Sequence, residues 1–376
     1  MLAVLGPAGC SLSDYAAAPP PPAESPPGVM TAPATTEAAP AEPERLRLPR
    51  ARGLEVPDGF RAEVYATGLE HPTAMAFGPR GLYVTEDVGR LVRVRPGDES
   101  PTVVAAGFDV PLGVALDGRD VYVSAMGELE WLRLDGRGEV ARREPIVTGL
   151  PFGLHQQDNV VVGPDDRLYV GSGSTCNACE EGDPRSAAIL SVERDGSDLE
   201  IFARGLRNPF GLAFEPRAER LFVSVNGRDD LLDEDGPGPA DMIVVAKRGR
   251  DFGWPGCWPS IREQRLVGDC AGVTPPVAYL EEHSSANGMA FYTGETFPAE
   301  YRGNLFVALW GQYDSHAHGR LVERLVLRPD GRARRIEPFV EGLPHPLALA
   351  VEPRGGLLVA DWERGAIYRI QAEGGA

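Results

Sequence analysis

The sequence lacks the features that mark membrane-spanning and nucleic-acid-binding proteins. No apolar stretch approaches the about 20 residues that a transmembrane helix needs. The net charge is -18, and the chain has no cluster of Lys and Arg of the kind that phosphate binding requires. The composition therefore argues against a nucleic-acid partner and against binding to an anionic membrane surface.

Cysteine is also scarce, with five residues in the chain. None lies in a CxxCH sequence, which excludes covalently attached haem of that type. Once Cys10 is set aside, an even number remains: Cys176, Cys179, Cys257 and Cys270. This count predicts two disulfides in an oxidising compartment. The alternative for the CxxC is half of a zinc site, but the other two cysteines are far apart in sequence and have no nearby His.

The amino terminus resembles a bacterial lipoprotein signal without completing it. Residues 1–10 read MLAVLGPAGC, but the charged segment is missing and the apolar segment is short. Two interpretations stay open, an exported lipoprotein anchored at Cys10 or a chance cysteine in a cytosolic tail. Residues 11–53 are rich in Ala and Pro, which predicts a disordered tether ahead of a folded part that begins near Leu54.

What the sequence has in abundance is glycine (45 residues) and proline (35 residues), as expected of an all-β protein with many turns. One unit recurs: a Gly-apolar start, a small-apolar run, a Gly/Asp turn and a β-rich strand such as LYVTE or LFVSV. Its copies are spaced 39, 42, 56, 82 and 55 residues apart. They begin at Gly68, Gly107, Gly149, Gly205, Asn287 and Gly342.

This repeat predicts a six-bladed β-propeller over residues 54–370. The first two spacings match a four-stranded blade of about 40–50 residues, and the longer ones indicate insertions in the third to fifth blades. No segment shows sustained helical periodicity. A β-sandwich or a pair of small β domains is the alternative, but the period is too even for either.

Two polar pairs occupy equivalent places ahead of their strands. His155-Gln156 lies in the third repeat and Arg207-Asn208 in the fourth, so both are expected at one mouth of the propeller channel. A histidine beside an arginine supplies a proton acceptor and a fixed positive charge, which suits proton removal from a hydroxyl. A loop-capping histidine and a salt bridge between blades are the alternative interpretations.

Several motifs resemble the soluble quinoprotein glucose/sorbosone dehydrogenases. The resemblance covers the chain from Leu54 to about Ile370. It is carried by His-Gln eight residues before Gly-Pro, and by the segments GSTCNAC, GLRNPFG, FGWP, NGMAFYTGETFPAEYRGNLFVA and LLVADWERGAIYRI.

The resemblance implies pyrroloquinoline quinone (PQQ) and calcium at the channel mouth, and oxidation of a sugar-type hydroxyl or hemiacetal of a sugar or polyol. It makes His155 the general base and Arg207 a catalytic residue that also binds the cofactor. Gln156, Asn208 and Trp310 are further cofactor-binding candidates. The electron acceptor is not indicated.

For calcium, the resemblance points to the stretch after the fourth-blade strand, 225–230. Gly227, Arg228 and Asp229 are the ligand candidates, since calcium prefers carbonyl and carboxylate oxygens. The alternative is a solvated acidic loop. Trp310 and Tyr313 could stack on a flat cofactor, although aromatic residues there are more often core or rim.

The chain departs from the family in its late blades, where Lys and Arg would grip the cofactor carboxylates. Here the sequences read ALWGQYDSHAHGR and PHPLALAV. Four residues are candidates to bind the cofactor carboxylates in their place: His316, His318, Arg320 and His345.

Two other functions stay open. One is a calcium-dependent lactonase, which would use Asn and Asp side chains from several blades. The other is a non-catalytic binding propeller. The candidate residues for the lactonase are Asn159, Asn208, Asn226 and Asp361.

Overall fold

The computed structural model describes residues 48–229, 239–312 and 319–374. These residues form a six-bladed β-propeller, as predicted, with four strands in five blades and a fifth short strand in the third. The first strand is β1 (Phe60–Ala66), which precedes the first repeat. No helix in the described ranges is long and apolar enough to cross a membrane.

The strands of blades 1 to 3 follow the first three repeats. Blade 1 consists of β2 Pro72–Gly78, β3 Gly81–Glu86, β4 Arg90–Val94 and β5 Thr102–Ala106. Blade 2 consists of β6 Gly113–Asp117, β7 Asp120–Ala125, β8 Glu128–Leu134 and β9 Val140–Thr148. Blade 3 consists of β10 Gln157–Val162, β11 Leu168–Ser172, β12 Ala188–Val192, β13 Glu200–Arg204 and a short strand from later in the chain, β17 Arg250–Asp251.

Blades 4 to 6 follow the last three repeats. Blade 4 consists of β14 Asn208–Phe214, β15 Leu221–Asn226, β16 Ala240–Ala246 and β20 Ala278–Glu282. Blade 5 consists of β21 Ala286–Phe291, β22 Leu305–Leu309, β23 Leu321–Leu327 and β24 Ala333–Val340. Blade 6 contains β25 Pro346–Val351, β26 Leu357–Asp361 and β27 Ala366–Ala372, together with β1. A separate hairpin, β18 Cys257–Ser260 with β19 Arg265–Gly268, lies between β16 and β20, and a 3-10 turn at Ala299–Tyr301 precedes β22.

The ring closes through the first strand. β1 pairs antiparallel with β27 and becomes the outer strand of blade 6, with Glu63 opposite Arg369. These two side chains form a buried ion pair at 2.6 Å. The two ends of the folded chain are therefore held in one sheet.

The core lies between neighbouring blades. The sheet of each blade is covered on both faces by its neighbours. Its inner strands are therefore apolar at successive positions instead of alternating between apolar and polar residues. In β22 all five residues are buried. This explains why the recurring strands read as short runs of Leu, Val, Phe and Tyr.

The described part of the chain begins at Leu48, before the predicted start near Leu54 and within the segment that the composition assigns to the tether. Leu48 is buried, the N–H of Val64 donates to the carbonyl of Pro49 at 2.8 Å, and that of Ala51 donates to Ala62 at 2.9 Å. Residues 48–51 thus pair with the open edge of β1. The lipoprotein-like segment with Cys10, and the chain up to residue 47, lie outside the described residues, as do Asp230, Tyr313, His316 and His318.

The two predicted disulfides are formed, Cys176–Cys179 and Cys257–Cys270, with Cα–Cα distances of 6.1 and 5.1 Å. The first closes a loop in the insertion between β11 and β12. The second spans the hairpin of β18 and β19. This excludes the CxxC as half of a zinc site and fits an oxidising compartment.

Candidate functional site

A cavity of about 420 Å³ opens at the end of the propeller where the inner strands of blades 3, 4 and 5 begin. Loops before β10, β14 and β21 and after β15 and β22 meet there. The residues that line it are His155, Arg207, Asn226, Gly227, Asp229, Asp241, His283, Ser285, Trp310, Gly311 and Gln312.

His155 is fixed in one tautomer by its neighbours. Its Nδ1 lies 2.9 Å from Ser174 Oγ, and the Ser174 hydroxyl donates its proton to the carbonyl of Cys176 at 2.7 Å. Because that single proton is already committed, Ser174 Oγ accepts from Nδ1–H. Nε2 of His155 is then the unprotonated nitrogen and can accept a proton.

Burial also keeps this imidazole neutral. Loss of solvent, together with the positive charge of Arg207, lowers the pKa of His155 to about 4. A histidine in this state is neutral at physiological pH, as a general base must be.

Arg207 directly precedes β14 and is buried. Its Nε donates to the carbonyl of Asn177 at 3.0 Å, and one Nη donates both to Asn177 Oδ1 at 2.7 Å and to Asp229 Oδ2 at 2.5 Å. These contacts fix the guanidinium as a positive charge in the cavity wall. The salt bridge is made within blade 4, not between blades.

His283 and Asp241 complete the wall, and neither was identified from the sequence. His283 Nδ1 lies 3.7 Å from Asp229 Oδ1, and the nearby carboxylate raises the pKa of His283. Burial opposes ionisation of Asp229, but His283 and Arg207 lower its pKa overall. Asp241 is buried and accepts from the N–H groups of Gly227 and Ala286, both at 2.8 Å.

Asn208 and Gln156 lie behind the cavity lining. Asn208 Nδ2 donates to Asn226 Oδ1 at 2.9 Å, and Asn226 Nδ2 donates to the carbonyl of Ala286 at 2.8 Å. Asn226 therefore reaches the cavity, and Asn208 supports it from behind. Gln156 donates to the carbonyl of Val110 at 2.6 Å.

Trp310 follows β22 and lines the cavity. Its ring stacks on that of His345 at a centroid distance of 3.8 Å. Arg320 donates to the carbonyl of Gln312 at 2.6 Å. Arg320 and His345 were expected to replace the Lys and Arg with which the family binds the cofactor carboxylates. Instead His345 contacts Trp310 and Arg320 contacts Gln312, and neither of them lines the cavity.

The residues fit a flat anionic quinone. The cavity volume falls in the range of about 300–1,000 Å³ that is usual for small-molecule sites. Arg207 offers a positive charge to carboxylates, and Trp310 offers an aromatic ring. His283 lines the cavity, and its buried Nε2 has no hydrogen-bond partner among the described residues, so the wall has capacity left for a ligand or a water.

The end of β15 fits a hard cation through its backbone. Gly227 and Arg228 present carbonyl oxygens beside Asp229, the donor type that calcium prefers. The side chain of Arg228 lies over the ring of Trp258, 5.0 Å from its centroid. The carboxylate of Asp229 is engaged by Arg207, so the two carbonyls are the better candidates in this arrangement.

Comparison with known proteins gives consistent matches. Over 350 residues, the chain is 24% identical to an uncharacterized protein of Borreliella burgdorferi, across 85% of this chain and 91% of that relative. It is 30% identical over 122 residues to the aldose sugar dehydrogenase YliI of Escherichia coli, which is 31% of this chain and 30% of the relative.

The fold is shared with the PQQ domain of pyranose dehydrogenase from Coprinopsis cinerea in its holo form. The TM-score is 0.74 at 19% identity, over 86% of this chain and 98% of that one. The family model for glucose/sorbosone dehydrogenase matches residues 125–337, more than half of the chain. The protein therefore belongs to the glucose/sorbosone dehydrogenase family.

Proposed function

We propose that the protein is a PQQ- and calcium-dependent dehydrogenase that oxidises a hydroxyl or hemiacetal of a sugar or polyol. The observation that carries this proposal is the pairing, in one cavity, of an unprotonated His155 Nε2 with the fixed charge of Arg207. Family membership supports the same reaction class.

The bound quinone would supply a hydride acceptor, with calcium as the Lewis acid that polarises it. His155 Nε2 takes the proton of the substrate hydroxyl. Arg207 stabilises the negative charge that develops in the cavity, and its bonds to Asn177 and Asp229 fix it before the reaction begins.

The remaining candidates would hold and orient the cofactor. The Trp310 ring would stack on it, the carbonyls of Gly227 and Arg228 would bind calcium with Asp229 beside them, and Asn208 would hold Asn226 in place for the quinone. Gln156 remains a predicted cofactor-binding residue, acting from behind the lining.

Reconstitution tests the proposal. The purified chain is incubated with PQQ and calcium, passed through gel filtration, and assayed with a panel of aldoses and polyols and an artificial dye. We expect retained quinone absorbance and sugar-dependent dye reduction, and Arg207→Ala should weaken both. Absence of retained cofactor and of dye reduction in the wild-type protein contradicts the proposal.

The same assay separates the alternatives. A lactonase would hydrolyse lactones with calcium alone, and a binding propeller would need neither group. Of the four side chains expected for a lactonase, Asn226 lines the cavity, whereas Asn159, Asn208 and Asp361 do not. This arrangement favours the dehydrogenase.

We further propose that the protein is exported and anchored in the membrane through a lipid on Cys10. Two disulfides support an oxidising compartment,. Mass spectrometry of the native amino terminus should find a diacylglyceryl group on Cys10. An unmodified terminus upstream of Cys10 would contradict the anchor.

A further inference from the structure

The small loop closed by the first disulfide contacts one proposed catalytic residue, Arg207, directly and is linked to the other, His155, through Ser174. Its Cys176 carbonyl accepts from Ser174 Oγ, which in turn bonds His155 Nδ1. Its Asn177 accepts from Arg207 twice, through the main-chain oxygen and through Oδ1. Residues 176–179 are therefore one hydrogen bond removed from the base and in direct contact with the cation.

We propose that this disulfide loop, residues 176–179, is the positioning element of the reaction, and that Asn177 is its positioning residue. The loop sets the tautomer of His155 through Ser174 and the place of the guanidinium through Asn177. This proposal rests on the proposed function, because positioning has meaning only if His155 and Arg207 act on a substrate.

Backbone hydrogen bonds hold the chain just before the loop: the N–H of Leu154 donates to Thr175 at 2.9 Å, and that of Ser174 donates to Arg207 at 2.7 Å. The loop belongs to an insertion between β11 and β12, and no residue from 173 to 187 is in a strand. A further tie is Glu181, whose carboxylate accepts from the N–H and the hydroxyl of Thr175 at 2.7 and 2.6 Å. The disulfide is the covalent restraint on residues 176–179, which lie in no strand.

Asn177 also organises the far side of Arg207. Its Oδ1 accepts from the backbone N–H of Asp229 at 2.9 Å, so one side-chain oxygen holds the cation and the residue that pairs with it. The loop of blade 3 and the end of β15 in blade 4 meet at this atom. A displacement of about 1 Å in such a site can cost about 100-fold in rate.

Substitution of Asn177 tests the loop without touching a cysteine. Asn177→Ala removes the shared oxygen and should lower kcat by about 10- to 100-fold while KM for the sugar changes by less than about threefold. Asn177→Asp keeps an acceptor oxygen at the same place and should restore most of kcat. Equal kcat in the wild type and Asn177→Ala would overturn the role of Asn177.

The disulfide itself is tested with a matched control. The double variant Cys176→Ser/Cys179→Ser should lose kcat to a similar extent while its thermal transition stays cooperative. The control Cys257→Ser/Cys270→Ser removes the other disulfide and should keep wild-type kcat per folded molecule, with a lowered Tm. Equal loss of kcat in both double variants would contradict a specific role for the loop.

A spectroscopic readout separates positioning from catalysis. In the protein without cofactor, ¹⁵N shifts of the His155 ring should show Nδ1–H and an unprotonated Nε2 in the wild type, and a tautomer mixture in Cys176→Ser/Cys179→Ser. An unchanged tautomer refutes the positioning proposal even if the wild type proves active. A wild type that retains no cofactor refutes the proposed function, but the tautomer comparison still decides the loop.

Discussion

At the scale of single residues, the cavity wall contains a neutral base and a permanent cation. His155 is kept neutral by burial and by the nearby guanidinium, whereas Arg207 stays charged and is paired with Asp229. A base and a cation can share one cavity here because the same positive charge that stabilises an anion also prevents protonation of the base.

The lowered pKa of His155 predicts how activity depends on pH. The neutral form is the active one, and its pKa in the folded protein is about 4, below the usual value of about 6.5. Activity is therefore retained as the pH falls through 6.5 and is lost only as it falls through about 4. Arg207 contributes to this lowering and Asp229 opposes it. Asp241 and His283 are the other titratable side chains that line the cavity.

The measurement is kcat/KM of the reconstituted enzyme from pH 3.5 to 8, at pH values where the fold is intact by circular dichroism. We expect the acid limb near pH 4. A limb near 6.5 that is absent from His155→Gln would mean that His155 is exposed to solvent, in conflict with the structure.

His155 and Arg207 could be predicted at the cavity because equivalent positions in repeated blades converge, whereas Gly227, Asp229 and Trp310 were expected there from the family resemblance. Sequence reasoning assigned no role to His283 and missed Asn177. Both lie in insertions outside the repeated unit, and a repeat says nothing about where an inserted loop returns. The one available signal for Asn177 was its place between Cys176 and Cys179.

At the scale of elements, the repeats predicted the inner strands and the number of blades. They did not predict that β1 closes blade 6, because β1 precedes the first copy and resembles none of them. The spacing of 82 residues between Gly205 and Asn287 correctly indicated an insertion. Its content, including the β18–β19 hairpin, depends on contacts that no local pattern encodes.

Closure by β1 predicts a stability effect at one ion pair. Glu63→Ala leaves the buried guanidinium of Arg369 without its 2.6 Å partner and should lower the free energy of unfolding by about 3 kcal/mol. This is the lower end of the usual cost, because Glu352 lies 3.7 Å from Arg369.

Urea denaturation followed by tryptophan fluorescence measures this change. The matched control is Glu373→Ala, which removes an exposed pair with Arg50 at 3.2 Å and should cost less than about 1 kcal/mol. Equal effects of the two substitutions would show that the closing pair contributes no more than a surface one.

At the scale of the whole molecule, a closed ring holds loops from three blades around one cavity. The ring supplies a rigid frame, and the insertions of blades 3 and 4 add Asn177 and His283. We propose that this frame binds PQQ and that His155 then removes the substrate proton.

The most direct test is anaerobic single-turnover absorbance of the protein loaded with PQQ and calcium, mixed with an aldose. In the wild type, sugar should reduce the bound quinone. In His155→Ala the quinone should bind with near wild-type affinity and be reduced about 10²- to 10⁴-fold more slowly. Equal reduction rates in the two proteins, or a wild type whose retained quinone no sugar reduces, would contradict the account.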